Sequence, residues 1–396
     1  MSLNSTPAAQ RVHIGFFGLR NAGKSSLVNA VTGQDMSIVS DIKGTTTDAV
    51  HKTMEILPIG PVVIIDTPGF DDEGALGELR VKKTKEALAK TDIAVLVVDA
   101  TLGITDTDRE LIAMFDDTPY IIAYTKSDLI DGDKSESENS IYVSAKTGEN
   151  IYELKEKIAK KGEKRIERKL VSDLVSAGDT VILVIPIDES APKGRIILPQ
   201  QMVLRDLLDS GCKVICCQPD ELKSAIDGLT ASPQLVITDS QVFGAVQKTV
   251  PESIKLTSFS ILLARYRGVL PDLINGAAKL KTLKDSDTVL ISEGCTHHRQ
   301  CNDIGTVKLP GWIKEFSGST PKFDFTSGGE FPTDLSGYSL VLHCGGCMLN
   351  EKEMGSRIKR ATDIGTPIVN YGIAIAAMHG ILKRALSPFP DLQKII

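Results

Sequence analysis

The sequence is poor in aromatic residues, has no excess of positive charge and has no hydrophobic run long enough to cross a membrane. Aromatic residues make up 5% of the chain and the net charge is −6. An RNA-binding surface usually combines a basic field with stacking aromatics, so no nucleic-acid partner is expected. The lack of a membrane-span run and of a signal-peptide core in the short polar segment 1–10 predicts a cytoplasmic protein that acts away from membranes.

The cysteine content is too low for a disulfide-rich scaffold. The chain has seven cysteines in 396 residues. An odd number in a chain of cytosolic character favours metal ligands or buried thiols over a disulfide framework. The length predicts two or three domains, each able to bury a core of its own.

The clearest motif lies near the N-terminus, between an apolar run and a predicted helix. Residues 18–25 read Gly-Leu-Arg-Asn-Ala-Gly-Lys-Ser, which fits the phosphate-binding loop G-x-x-x-x-G-K-[ST]. The glycines let backbone N–H groups face a polyphosphate at the start of the helix. Lys24 can then reach the β- and γ-phosphates, and the Ser25 hydroxyl can ligate Mg²⁺. The predicted phosphate-binding residues are Gly18, Asn21, Ala22, Gly23, Lys24, Ser25 and Ser26.

Further polar motifs follow predicted strands in the order expected of a guanine-nucleotide site. Thr46 lies in a polar connection, where a switch threonine would cover the γ-phosphate and complete the Mg²⁺ shell. Asp66 ends a short apolar strand and is predicted to bind Mg²⁺ through water, and the Gly69 N–H is predicted to sense the γ-phosphate. Asp128 can accept hydrogen bonds from guanine N1 and N2, donors that adenine lacks. The predicted base-binding residues are Thr125, Lys126, Asp128, Ser144, Ala145 and Lys146.

These motifs resemble the small GTPase domains of the bacterial Era and tRNA-modification type. The resemblance implies hydrolysis of GTP to GDP, with Thr125 replacing the usual asparagine. Phe70 stands where Ras-like enzymes carry a water-orienting glutamine, so slow turnover is expected without a partner or a monovalent ion. The resemblance assigns Asn21 to holding K⁺ and Glu78 to polarising the attacking water. The local pattern fits equally well a turn former at Asn21 and a solvated helix residue at Glu78. The predicted catalytic residues are Lys24, Asn21, Thr46, Gly69 and Glu78.

Two further segments follow the nucleotide-binding motifs. Between residues 169 and 267, strand and helix patterns alternate, which predicts a small parallel α/β domain. No catalytic constellation is recognisable there. Cys212, Cys216 and Cys217 lie on or beside one predicted strand, either as buried thiols or as metal ligands.

In the last segment, thiols follow two predicted strands near residues 290 and 340. Open α/β sheets build their sites past the carboxyl ends of strands, and Cys-x-x-Cys spacing lets two thiolates bind one metal centre. A zinc module, an iron–sulfur cluster held by three cysteines and a redox-active dithiol all fit these ligand types. The residues concerned are Cys295, His297, His343, Cys344 and Cys347.

Taken with the GTPase motifs, the pattern Cys-x-His followed by His-Cys-x-x-Cys resembles the [FeFe]-hydrogenase maturation GTPases, the HydF family, over nearly the whole chain. The resemblance implies that Cys295, Cys344 and Cys347 bind a [4Fe–4S] cluster, with His297 or His343 as the fourth ligand or beside it. It also implies a dimeric scaffold, which receives a diiron precursor from the radical-SAM maturases HydE and HydG and passes it to apo-hydrogenase.

The predicted fold is α/β in three domains. A P-loop GTPase domain with a Rossmann-like sheet is expected at 8–168, and two smaller α/β domains at 169–267 and 268–396. The resemblance assigns dimerisation to the second domain and cluster binding to the third. The alternatives are an RNA- or ribosome-associated GTPase with a C-terminal zinc module, and a redox-sensing GTPase. No role is predicted for Cys301.

Overall fold

A computed structural model of the chain describes residues 10–33, 50–70, 75–131, 134–135, 137–162, 168–187, 194, 196–294 and 303–395. At positions 50, 51 and 75–80 only the backbone is described. The chain divides into two compact units, Met1–Ile166 and Glu167–Ile396.

The first unit is built around a six-stranded sheet whose strands, apart from one edge strand, run parallel. Its strands are β1 Val12–Phe17, β2 Val50–Ile56, β3 Gly60–Asp66, β4 Ile93–Asp99, β5 Tyr120–Thr125 and β6 Ser140–Tyr142. Its helices are α1 Lys24–Thr32, α2 Ala75–Leu88, α3 Asp106–Met114 and α4 Ile151–Gly162. The strand order is β2-β3-β1-β4-β5-β6, and β2 pairs antiparallel with β3.

Buried apolar runs hold this sheet in the middle of the unit. Every residue of β1 is buried, as are the first six of β4. Apolar clusters lie on both faces of the sheet, which is typical of parallel strands covered by helices. Because β1, β3, β4 and β5 run in the same direction, the loops that follow them meet at one edge.

The second unit contains two four-stranded parallel sheets. The first has the order β10-β9-β7-β8 and the second the order β12-β11-β13-β14. The strands are β7 Thr180–Val184, β8 Lys213–Cys217, β9 Leu235–Thr238, β10 Lys255–Ser258, β11 Thr288–Glu293, β12 Lys322–Ser327, β13 Leu340–His343 and β14 Ile368–Asn370. The helices are α5 Leu198–Asp209, α6 Leu222–Asp227, α7 Phe243–Thr249, α8 Phe259–Tyr266, α9 Leu270–Ala277, α10 Leu309–Ser317, α11 Glu351–Asp363, α12 Tyr371–Met378 and α13 Leu382–Ala385. Short 3₁₀ turns of this unit lie at Ser172–Leu174, Ala278–Thr282 and Leu392–Ile395, and a π-helical turn lies at Ile304–Lys308. The first unit has a 3₁₀ turn at Ser127–Leu129.

One hydrophobic cluster runs through both sheets of this unit. It extends from Leu170, ahead of the first sheet, to Phe389, behind the second. The α/β class and the two further sheets agree with the predicted fold. The boundaries predicted at 168 and 267 stay predictions, since the chain separates into compact units only near residue 166. Among the described helices, none combines the length and the hydrophobicity needed to span a bilayer.

Helix α9 approaches strand β14 closely at Gly276. A Cβ added to Gly276 would lie 1.9 Å from the carbonyl oxygen of Ile368, which is far inside van der Waals contact. The backbone therefore has to move for any larger residue, and a glycine is needed at this position for the helix to pack on the sheet.

We expect Gly276→Ala to lower the stability of the second unit by about 1–3 kcal/mol, the usual cost of overpacking. The matched control is Gly355→Ala in α11, where an added Cβ meets no atom within 4 Å. That change replaces a helical glycine by alanine and should leave the melting temperature unchanged or raise it. Thermal unfolding followed by circular dichroism measures both, and equal melting temperatures for Gly276→Ala and wild type would contradict the close approach.

Candidate functional site

The loop after β1 has the shape of a phosphate cradle. Asn21 and Gly23 adopt left-handed conformations, with φ of 64° and 87°, and α1 begins at the next residue, Lys24. The Lys24 ammonium donates to the carbonyl oxygens of Gly18 at 2.9 Å and Leu19 at 2.8 Å. The lysine is thus folded over its own loop at the N-terminus of a helix, where anions are favoured.

Asp66, at the end of β3, faces this loop. The Ser25 hydroxyl donates to Asp66 Oδ2 at 2.9 Å, and among the described residues the buried Oδ1 has no hydrogen-bond partner. Burial raises the pKa of Asp66, an effect that Ser25 and Lys24 partly offset. A buried carboxylate oxygen without a partner, beside a serine hydroxyl, is a donor set that suits Mg²⁺.

Thr125 ties the end of β5 to the phosphate loop. Its hydroxyl donates to the carbonyl oxygen of Ala22 at 2.6 Å and lies 3.1 Å from the carbonyl oxygen of Val98. Thr125 is 2% exposed, so this contact is shielded from water. The hydroxyl therefore supplies a tether between the base-side strand and the loop.

The carboxylate of Asp128 is positioned by Ser144, whose hydroxyl donates to Asp128 Oδ1 at 2.7 Å. This hydrogen bond lowers the pKa of Asp128, which keeps the carboxylate ionised and able to accept hydrogen bonds. Ala145 and Lys146 follow in the turn after β6, as the sequence motif requires.

Two acidic residues that the sequence analysis missed support this loop. Lys126, with φ of 57°, donates to Asp99 Oδ2 at 2.5 Å, and Ser127 donates to Glu149 Oε2 at 2.7 Å. Asp99 ends strand β4 at the edge where the other motifs lie, and its position after an apolar run could have identified it from the sequence. Glu149 sits in a polar turn and has no such signal.

The four remaining predicted residues of this site are placed to different extents. Gly69 packs against the loop, where an added Cβ would lie 2.9 Å from the Cα of Arg20. Thr46 lies outside the described residues, and for Glu78 only the backbone, within α2, is described. Ser26 is exposed in the first turn of α1.

The second candidate site lies past the carboxyl ends of β11 and β13. The Cys344 N–H donates to the carbonyl oxygen of Ser292 at 2.8 Å. Cys344 Sγ accepts hydrogen bonds from the backbone N–H groups of Gly294 at 3.0 Å and Gly346 at 3.4 Å. Cys347 closes the same loop. Backbone N–H groups aimed at sulfur are characteristic surroundings of a metal-bound thiolate.

Cys295, His297 and Cys301 lie outside the described residues. Within the described part of the chain, no group of three or more histidine, cysteine, aspartate or glutamate side chains is arranged to hold a metal ion. Gly294, the residue before Cys295, nevertheless contacts Cys344 Sγ, so the peptide that leads into Cys295 is beside the Cys344 thiol.

His343 is fully buried and both its ring nitrogens face protein groups. Nε2 lies 3.0 Å from Nη1 of Arg357, and Nδ1 lies 2.8 Å from the carbonyl oxygen of Cys344. Because a guanidinium only donates, Nε2 accepts and the proton sits on Nδ1, which donates to Cys344. Burial lowers the pKa of His343 to about 3, so the ring is neutral. This arrangement favours a loop-orienting role over ligation.

The three remaining described cysteines lie in or just before strand β8, in the other sheet of this unit. Cys212 and Cys217 are buried, which raises the pKa of both thiols, and Cys216 is exposed. None of the three, nor Cys344 or Cys347, forms a disulfide. The burial of Cys212 and Cys217 fits the buried-thiol interpretation, whereas Cys216 lies at the surface.

Three family models match successive stretches of the chain. Residues 13–126 match the family model of the 50S ribosome-binding GTPase. Residues 170–268 match the hydrogen maturase F dimerization domain, and residues 271–388 match the hydrogen maturase F tetramerization domain.

Curated relatives match the GTPase part. The chain is 39% identical over 127 residues to the tRNA modification GTPase MnmE of Roseiflexus sp. (strain RS-1), covering 32% of this chain and 27% of that protein. It is 34% identical over 187 residues to the GTPase Der of Kosmotoga olearia, covering 41% of this chain and 42% of that protein. The chain therefore spans less than half the length of these relatives.

Among solved structures, a variant of Era from Aquifex aeolicus bound to GDP·AlF4⁻ is 21% identical, with a TM-score of 0.34 over 52% of this chain and 91% of that one. A GTPase domain followed by the two hydrogen maturase F domains makes up most of the sequence, and the chain belongs to the hydrogen maturase F family.

Proposed function

We propose that the chain is a GTP-hydrolysing scaffold, which carries the diiron subcluster of the [FeFe]-hydrogenase active site during assembly and transfers it to apo-hydrogenase. The observation that carries this proposal is the thiol loop of Cys344 and Cys347, with backbone N–H groups directed at sulfur, in a chain that also has a phosphate loop. The phosphate loop alone would fit any GTPase, and the thiol loop alone would fit any metal-binding protein.

GTP would bind with its phosphates over the loop 18–26 and its base against Asp128. Lys24 would exchange its loop carbonyls for the β- and γ-phosphates, and the guanine O6 would meet the backbone at residues 144–146. We assign the γ-phosphate contacts to Thr46 and the Gly69 N–H. The unpartnered oxygen of Asp66 supports Mg²⁺ at Ser25 and Asp66, and the ion, when bound, neutralises charge on the phosphates.

Hydrolysis in this scheme is slow and depends on K⁺. The side chain of Asn21 is exposed on the phosphate loop, where it can contribute an oxygen ligand to a monovalent cation. Glu78 would polarise the attacking water. A cation at Asn21 would offset charge that an arginine finger neutralises in other GTPases.

The donor set of the second site fits an iron–sulfur cluster. Cys295, Cys344 and Cys347 would hold it, and the thiol-directed N–H groups of Gly294 and Gly346 support charged sulfur at Cys344. When bound, the cluster supplies one iron without a cysteine ligand, a position suited to cargo that has to be released. His297 is the remaining histidine candidate for that position, because both nitrogens of His343 face protein groups.

The nucleotide state is proposed to control association with partners rather than to drive cluster chemistry. Ordering of the connections at 44–48 and 69–78 by the γ-phosphate would change the surface offered to HydE, HydG and apo-hydrogenase. The dimerization and tetramerization domains support a homo-oligomeric scaffold, of which the dimer is the form we predict.

We expect Cys344→Ala and Cys347→Ala each to abolish cluster binding and hydrogenase maturation while GTP turnover continues in the other compact unit. Anaerobic reconstitution of the wild type should give about four irons per chain. Iron and sulfide analysis, together with maturation of apo-hydrogenase by HydE and HydG, measures the effect.

The matched control is Cys216→Ala, which removes an exposed thiol from the other sheet of the second unit. It should keep the full iron content. A colourless protein that binds zinc at the same cysteines would favour the ribosome-associated GTPase, and maturation that survives loss of Cys344 would refute the scaffold.

Loss of the Thr125 tether should weaken nucleotide binding. Thr125→Val removes the hydrogen bond to Ala22, worth about 0.5–1.5 kcal/mol, so we expect Kd for GDP to rise about 2- to 10-fold. Thr32→Val is the control, because its hydroxyl makes a similar shared contact, to Val28 and Asn29, at the other end of α1. Calorimetric titration with GDP measures both, and equal affinities in the two variants would argue against the tether.

If His343 orients the loop without binding iron, His343→Gln should keep the cluster and leave the EPR spectrum of its reduced form unchanged. Glutamine can still offer polar atoms to Arg357 and to the loop. A changed spectrum at full iron content would instead identify His343 as a ligand, and the spectrum of Cys216→Ala provides the reference for changes elsewhere in the unit.

A further inference from the structure

Arg267, the residue after helix α8, binds the outer side of the thiol loop. Its Nη1 donates to the carbonyl oxygen of Gly345 at 2.7 Å, and its Nη2 donates to those of Gly346 at 2.7 Å and Leu349 at 3.1 Å. One guanidinium therefore holds three carbonyl groups within five residues of chain. Neither the sequence motifs nor the family match assigns it a role.

These contacts fix the direction of the amide groups that face the sulfurs. Within a trans peptide, the C=O and the following N–H point in opposite directions. Binding the Gly345 carbonyl to Arg267 therefore turns the Gly346 N–H to the other side, where Cys344 Sγ lies 3.4 Å away. The same constraint applies to the next peptide, in which the Gly346 carbonyl is bound and the Cys347 N–H is turned inward.

The loop has little room to adopt another shape. Gly346 has φ of 61°, in the left-handed region, and an added Cβ would lie 3.0 Å from Met354 Sδ and 3.1 Å from Arg267 Nη1. The guanidinium and α11 together enclose this glycine, so the peptide planes on either side of it are held.

The positive charge of Arg267, like the hydrogen bonds to sulfur, favours negative charge on the cysteine sulfurs. Burial lowers the pKa of Arg267, while the sulfurs of Cys347 and Cys344 and the carboxylate of Glu351 act against that shift. A cation on the outer side of the loop thus favours negative charge on its inner side.

We infer that Arg267 is a positioning residue, which orients the peptides of the Cys344–Cys347 loop toward the sulfurs and thereby raises the reduction potential of the iron–sulfur site. The inference rests on the proposed cluster ligation. Hydrogen bonds to sulfur and nearby positive charge stabilise the reduced, more negative state, so their loss lowers the potential.

The test compares wild type with Arg267→Lys and Arg267→Gln in the full-length chain, reconstituted anaerobically with iron and sulfide. Lysine keeps the charge but cannot bind both peptide planes, and glutamine loses the charge as well. At the wild-type midpoint, we expect the ratio of reduced to oxidised cluster to fall at least about tenfold in both variants, a shift of about 59 mV for one electron. EPR-monitored redox titration measures this ratio.

The control is Arg384→Lys. Arg384 holds three carbonyl groups in the same manner, those of Pro251, Glu252 and Ile254, and among the described residues no hydrogen bond joins it to the Cys344–Cys347 loop. A wild-type potential is expected for this variant. Loss of the cluster from both Arg267 variants, with Arg384→Lys fully loaded, would also support the positioning role.

Three outcomes would overturn the inference. A wild-type potential in Arg267→Lys would mean that charge alone is required, and the same shift in Arg384→Lys would mean general loosening of the unit. Unchanged potentials in all variants would dismiss Arg267 but leave the scaffold function standing. A wild-type protein that holds no cluster would instead remove the proposed function itself.

Discussion

Parallel strand pairing is the constraint on which both candidate sites depend. In the first unit, β1, β3 and β5 run in one direction, so the phosphate loop, Asp66 and Thr125 emerge at a single edge. In the second unit, β11 and β13 pair in parallel with Ser292 opposite His343, which puts the chain before Cys295 beside Cys344. Residues about 50 positions apart meet because the strand ends coincide.

Arginines that bind backbone carbonyls complete the second unit. Arg267 holds the thiol loop, Arg384 holds the turn before β10, and Arg357 joins the Gly328 carbonyl to His343. A guanidinium offers five donors in a rigid plane, so it can satisfy several carbonyls where no regular hydrogen-bond ladder exists. These loops are thereby given fixed shapes without being part of a strand or helix.

The sequence predicted the features that depend on local spacing and missed those that depend on distant contacts. The phosphate loop, Asp66 and Thr125 could be read because each follows an apolar run that forms a buried strand. The antiparallel edge strand β2 carries a mixed pattern and was not predicted. Thr46, Cys295 and His297 lie outside the described residues, so their assignments stay predictions.

The role of Arg267 had no local signal. Arg265, two positions earlier, pairs with Asp173, whereas Arg267 reaches a loop 78 residues ahead. Nothing in the pattern of α8 separates these two arginines. The sequence likewise left open whether His343 binds iron or supports the loop. The answer depends on Arg357 in α11, which contacts the His343 ring and also pairs with Glu353 one helical turn earlier.

The position of Arg267 also bears on how the protein can be divided. It is the last residue of the predicted middle domain, whereas the Cys344–Cys347 loop whose carbonyl groups it binds lies in the predicted third domain. A fragment that begins at residue 268 would keep the cysteines of both motifs, Cys-x-His and His-Cys-x-x-Cys. It would lose Arg267, whose guanidinium binds the loop of the second motif. A piece of the chain that keeps the contacts of the Cys344–Cys347 loop therefore has to include Arg267, so this loop depends on residues from both of the smaller predicted domains.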